Sequence, residues 1–352
     1  QSVSKILLNR IEKLSQIEND ILSLASVIGN EFRIDFISKL YQHLNGDQKT
    51  DNIISILDNL IKIRLLEKTT QSGNIFYSFS HDTILETFYE NLEKKQKQNV
   101  HLFCAQYYEK LMNEKKDYIY STAYHYNQTD HNEKMLFYND LASKKAIEQF
   151  ILRDTIYFMK RNTLYYIQEK QKSPEIVIHI TRMCFMMYMY GEIQEMATFL
   201  DYAINISNEL NLYQQKTFLL LLLSQSYLCS NLINPAILYL KKALQNKKNH
   251  DFIITHPIHF NMVIMTFYYH DEFDEALHYV NQSFEKSEGD FSTFIQLYGN
   301  RLVLNIDMGN YKKAIEDVNI IEKDIDKVNN LYVHNLLYYF LSLFYLETRT
   351  DI

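Results

Sequence analysis

A pattern that recurs about every forty residues limits this chain to a small set of folds. Four segments align with starts 40, 40 and 38 residues apart in the 352-residue sequence. Such a period is typical of solenoids, in which each unit buries its apolar face against its neighbours. The four segments are 191–204, 231–244, 271–284 and 309–322.

Each segment carries the same residue types at the same offsets. A turn-forming residue opens it, a large apolar residue follows two positions later, and apolar or small residues come five, nine and twelve positions after the turn former. Those offsets trace one face of an α-helix, and small residues there permit close helix packing. The turn formers are Gly191, Asn231, Asp271 and Gly309, and the residues five positions later are Met196, Ala236, Ala276 and Ala314.

Another apolar segment precedes these helices, for example 216–230 and 259–270, so the unit is a helix pair. Helix pairs that cannot bury their apolar faces alone stack into a superhelical α-solenoid. The units resemble the tetratricopeptide repeat, as in "MGNYKKAI" and "HDEFDEAL". The period near forty, Met196 in place of alanine and the lack of a proline after the second helix make the array irregular.

The array is expected to occupy residues 116–352. Upstream, 132–147 and 152–167 predict further solenoid helices, and 331–352 predicts the opening helix of a pair. Seven glycines and three prolines leave few tight turns, which favours long helices joined by short connections.

Residues 1–115 follow a different pattern, in the order helix, helix, helix, hairpin, helix, which predicts a winged-helix domain. Gly29 is expected to end the first of these helices in a left-handed C-cap, and Asp51 to cap the third. Two short strands flank "QSGN", which is a hairpin signal. The helices are 17–29, 33–44 and 51–66, and the strands are "LLEKTT" and "IFYSFS". The predicted fold class is therefore mainly α, with one β-hairpin.

Charge and hydropathy argue against nucleic acid and membrane as partners of this chain. The net charge is -7 and is mixed along the chain, so the basic surface that nucleic acid requires is missing. Helix 51–66, which would be a DNA-recognition helix, offers only Lys62 and Arg64 as cations.

The longest apolar stretch, 217–233, is interrupted by polar residues, so no membrane span is predicted. Without a signal peptide, the chain is expected to be cytoplasmic, with Cys104, Cys184 and Cys229 as reduced core residues.

Three stretches together resemble the region that follows the ATPase core in STAND-type (AAA-like) signalling ATPases: "LSLASVIGNEFRIDFISKL", "LIKIRLLEK" and the run from "YSFSHDTILETFYENL" to "YYEKL". Such regions occur in large regulators, multidomain kinases and soluble-type class III adenylyl cyclases. The resemblance covers roughly residues 1–170 by sequence and the remainder by architecture. It implies a winged-helix domain that packs over a nucleotide, followed by a tetratricopeptide-like array that senses a partner.

His81 is the one candidate binding residue. In the resembling proteins a histidine at the strand-to-helix joint contacts the phosphates of bound ADP, and His81 occupies that position. An imidazole beside a helix N-terminus adds a donor to a region that favours anions. In the alternative, Ser80 caps the helix, Asp82 complements its dipole and His81 is half-buried. No G-x-x-x-x-G-K-[ST] occurs, so ATP or ADP would bind only with an ATPase core outside this sequence.

Other reactive residues favour structural roles. His101 and Cys104, three apart on a helix with apolar neighbours, predict core packing. His256 and His259 predict a turn into a helix, because Pro257 lies between them and no third ligand is near. His125 and His131 are expected to bracket a connection. No metal site and no catalytic constellation is predicted.

The leading hypothesis is a non-catalytic regulatory fragment of a signalling ATPase, with a winged-helix lid and an array that binds a protein or peptide on its concave face. It would belong to a larger polypeptide or complex. Two alternatives stay open: a segment of a nucleotide-cyclase or kinase polypeptide whose catalytic domains lie outside this chain, and a structural scaffold subunit of a large assembly. A few of the 28 tyrosines would suffice to line the groove.

Overall fold

The computed structural model describes residues 10–45, 53–71, 73–112, 118–245, 257–286, 291–329 and 331–348. These residues are mostly α-helical, with one small sheet, so the prediction of a mainly helical protein is confirmed. The chain divides into a first unit, 1–162, and a second unit, 163–352. The predicted domain boundary near residue 115 stays a prediction, because residues 113–117 lie outside the described ranges, as do Asp51 and His256.

The first unit begins with three helices around a small sheet and continues with further helices. Its elements are α1 (Gln16–Ile28), β1 (Glu31–Arg33), α2 (Ile34–Asn45), α3 (Ile53–Lys62), β2 (Leu66–Gln71), β3 (Asn74–Phe79), α4 (Asp82–Asn91), α5 (Lys94–Leu111), α6 (Ile119–Tyr126), α7 (Asn132–Glu148) and α8 (Leu152–Gln168), which extends past the unit's end.

The sheet contains the predicted hairpin and one strand that the pattern did not predict. The strand order is β1-β3-β2, all antiparallel, and Gly73 turns the hairpin at φ 81°. Phe32 of β1 pairs with Tyr77 of β3, and their rings stack with centroids 6.0 Å apart. Three residues are too few to show a period of two, so β1 depends on this tertiary pairing.

Two helix ends in the first unit differ from the prediction. Helix α1 ends at Gly29 as expected, but Gly29 has φ 136° and ψ -174°, an extended conformation open to glycine rather than the left-handed cap. Helix α3 ends at Lys62, four residues earlier than predicted. The reason is a Schellman motif, in which Arg64 N–H donates to the Ile61 carbonyl (2.9 Å) with Arg64 at φ 58°.

The second unit is an array of helix pairs. We call the opening helix of each pair an A helix and the closing helix a B helix. The A helices are α9 (Pro174–Tyr190), α11 (Tyr213–Cys229), α13 (Pro257–Tyr269), α15 (Phe291–Asp307) and α17 (Leu331–Thr348), and the B helices are α10 (Met196–Glu209), α12 (Ile233–Leu244), α14 (Phe273–Lys286) and α16 (Tyr311–Asp324). A 3₁₀ turn, Ile325–Lys327, follows α16.

The predicted turn formers end the A helices. Gly191, Asn231, Asp271 and Gly309 have φ of 85°, 59°, 60° and 71°. Each closes a Schellman motif, for example Gly309 N–H to the Ile306 carbonyl at 2.9 Å. The repeat that the sequence predicts is therefore present in the backbone conformation itself.

Packing within the array also follows the predicted offsets. Met196, Ala236, Ala276 and Ala314 are each 0% exposed. Successive A helices pack on one another from α9 to α17. Among the described residues, no helix is both long enough and apolar enough to cross a membrane.

Phe150 allows a test of how much the left-handed conformation at a helix end costs a residue other than glycine. It joins α7 to α8 with φ 57°, its N–H donates to the Ile147 carbonyl, and it is 89% exposed. Because a β-carbon is strained in this conformation, Phe150→Gly is expected to stabilise the chain by about 1 kcal/mol. Urea denaturation measures the change. Asn231→Gly is the matched control and should change stability by only a few tenths of a kcal/mol, since asparagine tolerates this conformation. Destabilisation by Phe150→Gly would show instead that contacts of the phenylalanine ring stabilise the fold.

Candidate functional site

The A helices of the second unit are poor in charge. Together the five A helices contain six charged residues, whereas the four B helices contain fifteen. Packing of A helices on one another accounts for part of this difference, but several large apolar side chains on the A helices remain exposed. These include Tyr213, Tyr269, Phe294, Leu331, Tyr338, Tyr339 and Leu346.

A small cavity opens among the last three A helices. Its volume is about 90 Å³. That is well below the roughly 300–1,000 Å³ of a drug-sized ligand site and suits a single side chain. Helix α13 contributes Ile264, Met265, Tyr268 and Tyr269, helix α15 contributes Asn300, Val303 and Leu304, and helix α17 contributes Tyr339, Phe340 and Leu343.

Gly299 brings two of these helices close together. A β-carbon at this position would lie 2.6 Å from Cδ2 of Phe340 and 3.0 Å from Cδ2 of Leu337. Glycine inside a helix lowers its stability, so a packing reason is expected for it. Here the reason is the close contact between α15 and the Phe340 ring, which forms one wall of the cavity.

Two polar groups border the cavity. Asn300 lines it, and its Nδ2 donates to Oδ1 of Asn261 at 2.6 Å. The Tyr268 hydroxyl hydrogen-bonds to the Asp307 carboxylate. Burial, followed by that hydrogen bond, raises the pKa of Tyr268, so this hydroxyl remains a neutral donor. The cavity is thus apolar and aromatic, with one amide and one carboxylate nearby.

A partly buried ion pair joins α15 to α16. Arg301 Nη2 lies 2.6 Å from Oδ1 of Asp317, which is 0% exposed. Asn305 Nδ2 donates to Oδ2 of the same carboxylate at 3.3 Å. The guanidinium also lies over the Phe284 and Tyr298 rings, 4.9 and 5.1 Å from their centroids. Burial raises the pKa of the Asp317 carboxyl, and Arg301 opposes that rise.

His81 lies at the strand-to-helix joint in the first unit, as predicted. It is exposed rather than half-buried and occupies the N-cap position of α4, with φ -152° and ψ 140° and no side-chain capping bond. The predicted Ser80 cap is wrong, because the Ser80 hydroxyl instead donates to the carbonyls of Arg64 (2.8 Å) and Leu65 (3.2 Å). Asp82 lies in the first turn, where it complements the helix dipole. The role of His81 towards phosphate stays a prediction.

A second histidine site was not predicted. His125 in the last turn of α6 and His131 at the N-cap of α7 bracket the connection between these helices, as predicted. His125 is buried, and its Nδ1 lies 2.8 Å from Nδ1 of His101. His101 Nε2 bonds to the Tyr89 hydroxyl at 3.1 Å, and His125 stacks on Tyr108. Two facing Nδ1–H groups would repel each other, so one ring must accept. Burial lowers the pKa of His101 to about 4, with help from Lys97, and that of His125 to about 3.

The remaining predicted residues have structural surroundings. Cys104 and Cys184 are buried, as expected, and burial raises the pKa of each thiol, whereas Cys229 is exposed, contrary to the prediction. Cys229 is the last residue of α11 and lies beyond the buried part of that helix. His259 is buried against Phe218, and His131 is the N-cap residue of α7. Within the described ranges no three His, Cys, Asp or Glu side chains are grouped to hold a metal ion.

Comparisons with known proteins give only loose structural likenesses. No protein-family model matches the chain, and no curated protein matches it. A STAND protein with a tetratricopeptide repeat sensor, PH0952 from Pyrococcus horikoshii, is 17% identical over 99% of this chain and 50% of its own, with a TM-score of 0.41. The quorum sensor NprR from B. thuringiensis, in its apo form, is 13% identical over 85% of this chain and 82% of its own, with a TM-score of 0.47. NprR in complex with its cognate peptide NprX is 14% identical over 86% of each chain, with a TM-score of 0.44.

TM-scores below 0.5 are too low to transfer a function to this chain. What its own described residues define is a class: a mainly helical protein that contains an array of tetratricopeptide-like helix pairs.

Proposed function

We propose that the chain is a non-catalytic regulatory module whose helix-pair array binds a protein or peptide through its A helices. The observation that carries this proposal is the cavity of about 90 Å³ built only from A-helix residues. Its size, its aromatic walls and the low charge of the A helices suit an apolar side chain of a partner. Hot spots of binding are typically such desolvated pockets.

The polar groups around the cavity indicate which kind of peptide would bind there. Asn300 provides an amide that can pair with a peptide backbone group, which itself carries one donor and one acceptor. Asp307 adds a negative charge near the cavity through its bond to Tyr268. The preferred ligand is therefore a peptide segment with an aliphatic or aromatic anchor beside a basic residue.

The first unit would act as a lid over a nucleotide held by another polypeptide segment. The order helix, strand, helix, helix, strand, strand in α1 to β3 supports a winged-helix assignment. The exposed His81, at a helix N-terminus, is available for a phosphate contact. The chain would thus couple partner binding on the array to nucleotide state, as a fragment of a STAND-type ATPase.

Peptide selection tests the proposal. A phage-displayed library is selected on the full chain, and the affinities of the selected peptides are measured by fluorescence anisotropy. Val303→Phe fills the cavity with an apolar group and is expected to weaken binding at least tenfold, or by about 1.4 kcal/mol.

Ile315→Phe is the matched control. Ile315 is 49% exposed on the B helix α16, so its substitution should leave affinity unchanged. Peptides that bind Val303→Phe as tightly as the parent chain, or a library that yields no binder, would contradict the proposal.

A further inference from the structure

A basic cleft lies in the first unit, outside the array. Its volume is about 470 Å³. One wall is formed by Arg10, Lys13 and the start of α1, and the other by Lys62 and Arg64 at the end of α3. The cleft therefore brings together four cations from two segments that are distant in the sequence.

Among the described residues, no acidic side chain is paired with these four cations. Of the described residues that line the cleft, Glu18 alone is acidic, and its Oε2 already accepts from the N–H (2.9 Å) and the hydroxyl (2.8 Å) of Ser15 in a capping box. Like charges that converge repel one another, and a bound anion would reduce that repulsion.

The backbone holds one wall in place. Arg64 is fixed in the left-handed region by the Schellman motif, and the Ser80 hydroxyl donates to the Arg64 carbonyl at 2.8 Å. A second acceptor for that hydroxyl is the Leu65 carbonyl. The turn that carries Lys62 and Arg64 is thus tied to the end of β3.

We propose that this cleft binds a small molecule that carries several phosphate groups. Two arginines can pair with phosphate oxygens in a bidentate fashion, and two lysines add point charges. The volume lies in the range of small-ligand sites, about 300–1,000 Å³. Four cations exceed what a single carboxylate or sulfate requires, so a compact polyphosphate is the chemistry that matches the site.

The residues that line the cleft do not favour recognition of a nucleobase or of a nucleic acid. In the part of the chain that the structure describes, no aromatic ring lines the cleft, and Leu14 and Ile63 are its apolar residues. These residues give a nucleobase no stacking surface, so the ligand would be recognised through its phosphates. The net charge of -7 does not suit a nucleic-acid backbone, which needs a continuous basic track.

Titration calorimetry with inorganic triphosphate on the full chain, at low ionic strength, tests the site. Lys62→Met and Arg64→Asn are each expected to weaken binding by about five- to tenfold. Asparagine is chosen at 64 because it tolerates the left-handed conformation. Glu18→Gln keeps the capping box, removes the one negative charge and is expected to tighten binding by about two- to fivefold. Inorganic sulfate should bind at least tenfold more weakly than triphosphate.

Lys95→Met is the matched control, since Lys95 is exposed in the first turn of α5 and does not line the cleft. Circular dichroism melts confirm that each variant folds. The site is confirmed if the three cleft variants shift the affinity in the stated directions and Lys95→Met does not. It is excluded if the parent chain shows no saturable binding, if Lys95→Met weakens binding as much as Lys62→Met, or if Glu18→Gln leaves the affinity unchanged.

Discussion

The Arg301→Met variant is expected to lose about 3–5 kcal/mol of unfolding free energy, because it leaves the buried carboxylate of Asp317 without its cation. Asp317 is 0% exposed and, in its described surroundings, bonds to Arg301 and Asn305. One amide cannot compensate an ionised carboxylate that has lost its solvent. Urea denaturation followed by circular dichroism measures the loss.

Two further variants distinguish the effect of an unpaired buried charge on stability from the effect of lost packing. Arg182→Met removes an exposed arginine from another A helix and should change stability by no more than about 0.5 kcal/mol. The double variant Arg301→Met with Asp317→Leu removes both charges and should recover most of the loss. If the double variant is as unstable as Arg301→Met, the guanidinium contributes mainly through its contacts with Phe284 and Tyr298.

Acidification is expected to unfold the first unit by charging its buried histidine pair. Both side chains have lowered pKa values in the folded chain, about 4 for His101 and about 3 for His125, against 6.5 when unfolded. The unfolded chain therefore binds more protons below pH 6.5. The stability from the neutral pair is fully present above that pH and is lost as the pH falls towards 4 and then 3, by about 4–6 kcal/mol in all between pH 7 and pH 4.

Among the described residues, no carboxylate contributes to the pKa of either histidine, so no negative charge compensates the added positive charge. The groups that face it are the Tyr89, Tyr108 and Tyr124 rings, with Lys97 as a further positive charge. The melting temperature, measured from pH 7 to pH 4, should fall less in a double variant with glutamine at both histidine positions. His131→Gln is the control, as His131 is exposed, and should retain the parent's pH dependence. Equal pH dependence in the parent and the double variant would contradict the assignment.

The array could be predicted because its signal is local and repeated. Turn formers at a fixed period, followed by small residues on one helix face, specify helix ends and close packing without reference to the rest of the chain. Gly191, Asn231, Asp271 and Gly309 all have the left-handed conformation that such turns require. The hairpin around Gly73 was predictable for the same reason.

Features that depend on distant residues were not predictable. The two paired histidines are 24 residues apart, and the basic cleft joins residues around 10–18 to residues 62–64. No spacing rule connects such segments before the fold is known. Ser80 illustrates the same limit: its position suggested a helix cap, but the carbonyls of Arg64 and Leu65 lie within reach and accept its hydroxyl instead. The tyrosines of the cavity likewise carried no individual signal among the 28 in the chain.

Photo-crosslinking tests most directly whether the A helices bind the partner. Benzoylphenylalanine is placed at Tyr339, which is 58% exposed on an A helix and lines the cavity, or at Leu238, which is 53% exposed on a B helix. With a peptide selected on the parent chain, we expect a crosslink from position 339, lost in the Val303→Phe background, and none from position 238. A crosslink from 238 with none from 339 would contradict binding through the A helices.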